Sequence, residues 1–246
     1  MVIDQEIENL HSAYERIIYA CKNGFQEYML EYGPVKLSVS DLCTLLPPGY
    51  VTDFKKIKSA HPDLIPGWLV DKIVETTLWR LRLSNPETFY ADATLWELVE
   101  RQSSTRRLWM GESFSAIEKM FIPMNITRNH WTLLVIDCKN SRRLYLDPLH
   151  SQEQSITCTN NPALKQLIDN ISSVVDIKTG WRSKNWECVE PKHFVQKDGY
   201  NCGILICLFA RCITRGEPLN QAFNMKSERD KISSSLFGNC YDDFVE

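Results

Sequence analysis

The chain has 246 residues, of which 43% are hydrophobic and 24% charged, the balance of a globular protein with material for one large domain or two small ones. A net charge of only −3 gives no argument for nucleic acid or an anionic membrane as partner. Nine cysteines without a CxxC pair fit reduced thiols of the nucleus or cytoplasm better than a disulfide framework; no run reaches the length of a membrane-spanning helix, and the first six residues lack the basic-then-apolar plan of a signal peptide.

In chain order, Ile7, Leu10, Tyr14, Ile17 and Cys21 recur at three- and four-residue steps behind Asp4 as N-cap. That spacing predicts an amphipathic helix over residues 4–22, closed by Gly24. It reads as a helical extension, residues 1–35, packed on a domain formed by residues 36–246. The breakers Gly33-Pro34, Pro47-Pro48-Gly49, His61-Pro62 and Pro66-Gly67 predict a loop-rich stretch, which holds one short capped helix from Ser38 to Leu46. A helix is expected over Leu69 to Arg82, and residues 85–120 read as mainly helical with polar faces. The pattern changes at Phe121. Residues 121–125, 131–137 and 143–147 are β-rich runs separated by turn residues, a three-stranded antiparallel meander. Its middle run is apolar on both faces, so helices should cover it. Pro162 to about Val175 reads as a helix and Trp186 to Val189 as a strand. A buried helix from Gly203 to Thr214 should end near Gly216, and a surface helix over residues 225–236 closes the chain. The sum is an α+β domain, a small central antiparallel or mixed sheet flanked by helices.

One stretch carries chemistry. Gln196-Lys197-Asp198-Gly199-Tyr200-Asn201-Cys202-Gly203 runs straight into the apolar residues 204–210, so Cys202 sits where a loop becomes a helix. Unpartnered N–H groups and the helix dipole there favour a thiolate, the nucleophilic form. Gly203 keeps bulk away from the sulfur, and the Gln196 amide can donate to an oxyanion. The base must come from elsewhere. His11, on the first helix, and His61, in a proline-rich loop, read as ordinary surface residues. His130 begins a strand and Asp147 closes the next, and antiparallel pairing brings the start of one strand to the end of its neighbour. That offers a base and its orienter, although His150 and His193 remain open as alternatives.

These residues in this order resemble the Ulp/sentrin-specific family of cysteine proteases, which process ubiquitin-like proteins. The resemblance rests on Gly67 to Asp71, Phe121 to Asn125 leading into His130-Trp131, Leu144 to Asp147, and Gln196 to Gly203, and continues through Ala210 to Leu219. It implies a papain-like cysteine protease fold of the Ulp/adenain type. It makes Cys202 the nucleophile, His130 the general base and then acid, Asp147 the orienter, and Gln196 with the Cys202 N–H the oxyanion hole. Trp131 and Trp68 become the walls of a narrow channel over the substrate's terminal Gly-Gly, which excludes residues with side chains. No metal or organic cofactor is implied. The expected activity is a thiol isopeptidase acting on a ubiquitin-like protein, SUMO first and NEDD8 or ubiquitin as alternatives, with the protein a monomer. Three departures bear on the substrate: Val70 stands where the family often has Asn, Asn201 where Asp is common, and the insertion-like stretch His61 to Pro66 precedes Trp68. A silent module that binds a ubiquitin-like tail and an acetyltransferase of the related clan are the competing readings.

Overall fold

The computed structural model describes residues 12–22, 28–33, 35–48, 65, 67–109, 112–149 and 161–237. The chain divides into two compact units, one of Met1–Thr77 with Phe223–Glu246 and one of Leu78–Ala222.

In the first unit, helix α1 covers Ala13–Lys22; the earlier part of the expected helix, with Asp4 and Gly24, lies outside the described residues. Strands β1 (Tyr28–Tyr32) and β2 (Val35–Ser38) form an antiparallel hairpin, which spans the expected boundary at residue 35. Gly33, at φ +53°, supplies its left-handed turn, a conformation that favours glycine. The breaker-rich sequence here had suggested only loop. Helix α2 (Val39–Cys43) follows directly, and the expected cap at Ser38 is present as a full capping box: Asp41 N–H donates to Ser38 Oγ at 3.2 Å, and Ser38 N–H to Asp41 Oδ2 at 2.8 Å. Helix α3 (Asp71–Ser84) carries the chain onward. The last helix, Met225–Phe237, expected at the surface, buries Arg229, Ile232, Ser233 and Leu236 and packs on α1. Arg229, 1% exposed, is a clamp: Nη1 donates to the carbonyls of Thr44 and Leu45, both at 3.1 Å, and Nη2 to Gly67 at 2.8 Å.

The second unit is built on a five-stranded mixed sheet, β3 (Thr88–Tyr90), β4 (Lys119–Ile126), β5 (His130–Asp137), β6 (Arg142–Leu146) and β7 (Glu187–Val189), in that spatial order. The expected meander is β4–β5–β6, antiparallel throughout, and β3 and β7 add parallel edges. Residues 85–120 are therefore not mainly helical. They hold β3, a six-residue helix α4 (Leu95–Glu100) and a 3-10 turn at Arg106–Trp109. The aromatic residues Phe89, Trp96 and Trp109 turn inward, so this segment is core rather than polar surface. Pro123 sits inside β4, where its missing N–H would break a ladder; β3 stops pairing at Phe121, so the proline falls where β4 is an outer strand.

Strand alternation sorts the sheet's faces. Leu134 and Ile136 of β5 join Met120, Ile122 and Met124 of β4 in a core closed by Ile168, Ile171 and Val175 of helix α5 (Pro162–Thr179). On the other face, α6 (Cys202–Arg215) packs against β5. Every residue of α6 from Cys202 to Cys212 is buried, as expected of a helix apolar on all sides, and Gly216, at φ +70°, ends it in the left-handed conformation. The closing helix of the chain (Met225–Phe237) is α7.

Candidate active site

The central hairpin sets the geometry. Ile126 pairs with His130 across the β4–β5 turn, and Leu133 pairs with Leu146 across β5–β6. The residue after Leu146 therefore returns to the end of the sheet from which β5 starts. There His130 Nε2 lies 2.6 Å from Asp147 Oδ1. The carboxylate is held in turn by the Leu149 N–H at 2.9 Å. The Cys202 thiol, at the first position of α6, also hydrogen-bonds the His130 side chain. Burial disfavours the imidazolium, but the hydrogen bonds to Asp147 and Cys202 and their negative charge outweigh it, raising His130 to about 9.

Gln196 is buried, and its backbone N–H donates to the Pro148 carbonyl at 2.8 Å, tying the glutamine loop to the loop that carries Asp147. Its Nε2 donates to the Asp198 carbonyl at 2.6 Å. Nε2 also lies 3.3 Å from Asp198 Oδ1, so the amide hydrogen that would meet an oxyanion has to leave that longer contact. Asn201 takes the N-cap position of α6 without capping it; its Nδ2 donates instead to Asp198 Oδ2 at 2.7 Å.

Asp198 is the residue that the sequence reading passed over. Its Oδ1 accepts the N–H groups of Tyr200 at 3.0 Å and Asn201 at 2.9 Å, with Gln196 Nε2 at 3.3 Å. Burial alone would raise its carboxyl, yet the bonds from Tyr200, Asn201 and Gln196 hold it below the usual aspartate range. The signal was present as an Asp-Gly turn, but nothing in the pattern says that one carboxylate collects the residues on both sides of it.

The other expected residues fall as follows. Gly203 is the second residue of α6 and buried. Trp131, next to His130 on β5, is 3% exposed and shares the sheet face of Leu133 and Val135. Trp68 belongs to the first unit. It is half-buried, its N–H donates to Ile65 O at 3.1 Å, and it follows Gly67, whose carbonyl Arg229 holds. Of the alternative bases, His193 packs on Phe209 at 4.9 Å between ring centroids, with Nδ1 2.8 Å from the Phe194 carbonyl. His150, His11 and His61 lie outside the described residues.

Residues 91–243 match the sequence profile of the Ulp1 protease family, C-terminal catalytic domain. The chain belongs to the Ulp1 protease family. Among curated relatives, it is 26% identical over 162 residues to ubiquitin-like-specific protease 1 of Saccharomyces cerevisiae, which is 64% of this chain and 24% of that protein. It is 31% identical over 120 residues to ubiquitin-like-specific protease ESD4 of Arabidopsis thaliana, 48% of this chain and 23% of that one. The chain thus spans about a quarter of the length of the curated relatives it matches. The solved C-terminal Ulp1 protease domain in complex with Smt3, the yeast ortholog of SUMO, superposes with a TM-score of 0.71 at 19% identity, over 99% of this chain and 97% of that one. The Ulp1-like SUMO protease catalytic domain of Chaetomium thermophilum superposes with a TM-score of 0.67 at 17% identity, over 96% of this chain and 95% of that one. The Ulp1 fold is therefore this chain's fold, mixed sheet and flanking helices included.

Proposed function

We propose that this chain is a thiol peptidase and isopeptidase that cleaves after the C-terminal Gly-Gly of a ubiquitin-like modifier, SUMO in the first instance. The observation that carries the reading is the array at one sheet edge, where Asp147 and Cys202 both hydrogen-bond His130. With Nε2 engaged by Asp147, the imidazole has Nδ1 left for the thiol proton.

In the proposed reaction His130 holds the proton given up by Cys202, and Sγ attacks the carbonyl carbon of the terminal glycine. The oxyanion is met by the Cys202 N–H and the Gln196 amide; a donor of this kind is worth about 10²–10³ in rate. The C–N bond breaks as His130 gives its proton to the leaving amine, a lysine side chain or a short peptide. A water then attacks the thioester with His130 as base, releasing the glycine carboxylate and the Cys202 thiol. Trp131 is proposed as an aromatic wall of a path that admits only a side-chain-free tail, and Gly203 keeps the approach to sulfur open. The chain needs no metal or organic cofactor in this scheme and acts as a monomer in the nucleus or cytoplasm.

The preference for SUMO is supported by relatives named ubiquitin-like-specific proteases and by a similar fold solved with Smt3 bound. Full-length SUMO, NEDD8 and ubiquitin carrying a C-terminal electrophile test it. The SUMO probe is expected to form a covalent adduct on Cys202 that Cys202→Ala abolishes. Labelling by NEDD8 or ubiquitin alone would overturn the modifier, and labelling by none would leave a silent binding module.

A further inference from the structure

The first unit holds a pair of thiols with no part in the proposed reaction. Cys21 lies in the last turn of α1 and Cys43 at the end of α2, and their sulfurs are 3.0 Å apart, neither in a disulfide. The α1 and α2 helices pack on one another, and the capping box at Ser38 and Asp41 fixes the start of α2. Two sulfurs held by two packed helices are not a chance surface approach. Bond formation needs them only about 1 Å closer, at the disulfide length of about 2.0 Å. Among the described residues no group of three or more His, Cys, Asp or Glu is placed to hold a metal ion, so a shared metal does not account for the pair.

We propose that Cys21 and Cys43 are a modification site, a thiol pair that hydroperoxides oxidise to an intramolecular disulfide. The two sulfurs are unequal, and that sets the order of steps. Cys21 is half-buried and can be reached from solvent, whereas Cys43 is fully buried. The hydrogen bond from Cys43 stabilises the Cys21 thiolate and outweighs the effect of burial, while the same bond, burial and the charges of Cys21 and Asp41 keep Cys43 a thiol. Cys21 thiolate attacks one oxygen of hydrogen peroxide, the O–O bond breaks, and Cys21 sulfenic acid and hydroxide form. Cys43 sulfur then attacks the Cys21 sulfur, the S–O bond breaks, and the Cys43 proton leaves with the hydroxyl as water. The sum is two thiols and one hydrogen peroxide giving one disulfide and two waters. The product joins α1 to α2 and closes a loop containing the β1–β2 hairpin.

The test is mass mapping and thermal unfolding, neither of which depends on the activity assigned to Cys202. The reduced protein is treated with a slight molar excess of hydrogen peroxide, capped with N-ethylmaleimide and digested with trypsin. Peptide 17–22 is expected linked to peptide 37–55, and dithiothreitol should separate them. The oxidised protein should melt higher by about 5 °C, because a covalent loop restricts the unfolded chain. Cys21→Ser, at the half-buried position, should abolish both the link and the shift, and Cys43→Ser should leave Cys21 to run on to sulfinic acid. Recovery of both peptides separately alkylated, at a dose that oxidises Cys202, overturns the proposal. So does a melting shift that persists in Cys21→Ser.

Discussion

At the scale of single residues, His130 and Asp198 are charged for opposite reasons, and each predicts a measurement. His130 is lifted from an ordinary 6.5 to about 9. A group raised on folding stabilises the fold fully below its unfolded value and loses that contribution as pH rises through the folded one. The kcat/KM profile is therefore expected to fall on an alkaline limb near pH 9, where the imidazolium is lost. Asp147→Asn removes the hydrogen-bonded charge that does much of the lifting, so the limb should move to more acid pH by about 1–3 pH units; an unmoved limb would detach it from this pair. Asp198 is held low, so its charge survives well into acid and its stabilisation fades only as pH drops through that depressed value. Asp198→Asn is expected to lower kcat about tenfold with little change in KM, since charge-assisted bonds are about twice as strong as neutral ones. The double exchange Asp198→Asn with Asn201→Asp puts the charge back three residues later and should recover most of the loss, which a merely bulk-filling role would not. The meeting of His130 and Asp147 was legible in the sequence because antiparallel register is a rule of position. The role of Asp198 was not, because half of what its carboxylate collects are backbone N–H groups, which are the same at every residue.

At the scale of elements, what the sequence made plain was whatever repeats. The β4–β5–β6 meander shows as runs of β-formers between turns, and α5 and α6 as apolar stretches, α6 with Gly216 at its end. The edges β3 and β7 were harder, since three-residue strands have too little period to read and exist because a longer neighbour offers its ladder. The β1–β2 hairpin was hidden by Gly33-Pro34, which marked a break but not that two strands meet around it. The short helix α2 is the opposite case: five residues cannot sustain a helix alone, and a local signal, a leading serine, announced it, although it ends at Cys43 rather than Leu46. Ser38→Ala is expected to cost about 1 kcal/mol, read as a lower denaturation midpoint at unchanged slope. Because α2 carries Cys43, the same substitution should slow formation of the link to Cys21; an undiminished rate would show that α2 is held by packing alone.

At the scale of the whole molecule, Arg229 does most to organise the first unit. One buried guanidinium gathers carbonyls from residues 44, 45 and 67, so Arg229→Met leaves three acceptors unanswered. The expected loss is about 3 kcal/mol, and Arg229→Lys should restore only part of it, because a single ammonium lacks the planar fork that spans them. Equal stability of the methionine variant and the parent in urea would remove the clamp from this account. The first unit is also discontinuous, residues 1–77 being completed by residues 223–246 around an uninterrupted second unit. That arrangement inverts the usual order in which a ribosome delivers domains. Residues 1–77 leave the ribosome before the second unit but must wait for α7, while the segment bearing Cys202, His130 and Asp147 can close as soon as residue 222 is free. A nascent chain stalled just after that point should already shield its second unit from protease while its first 77 residues are still cut.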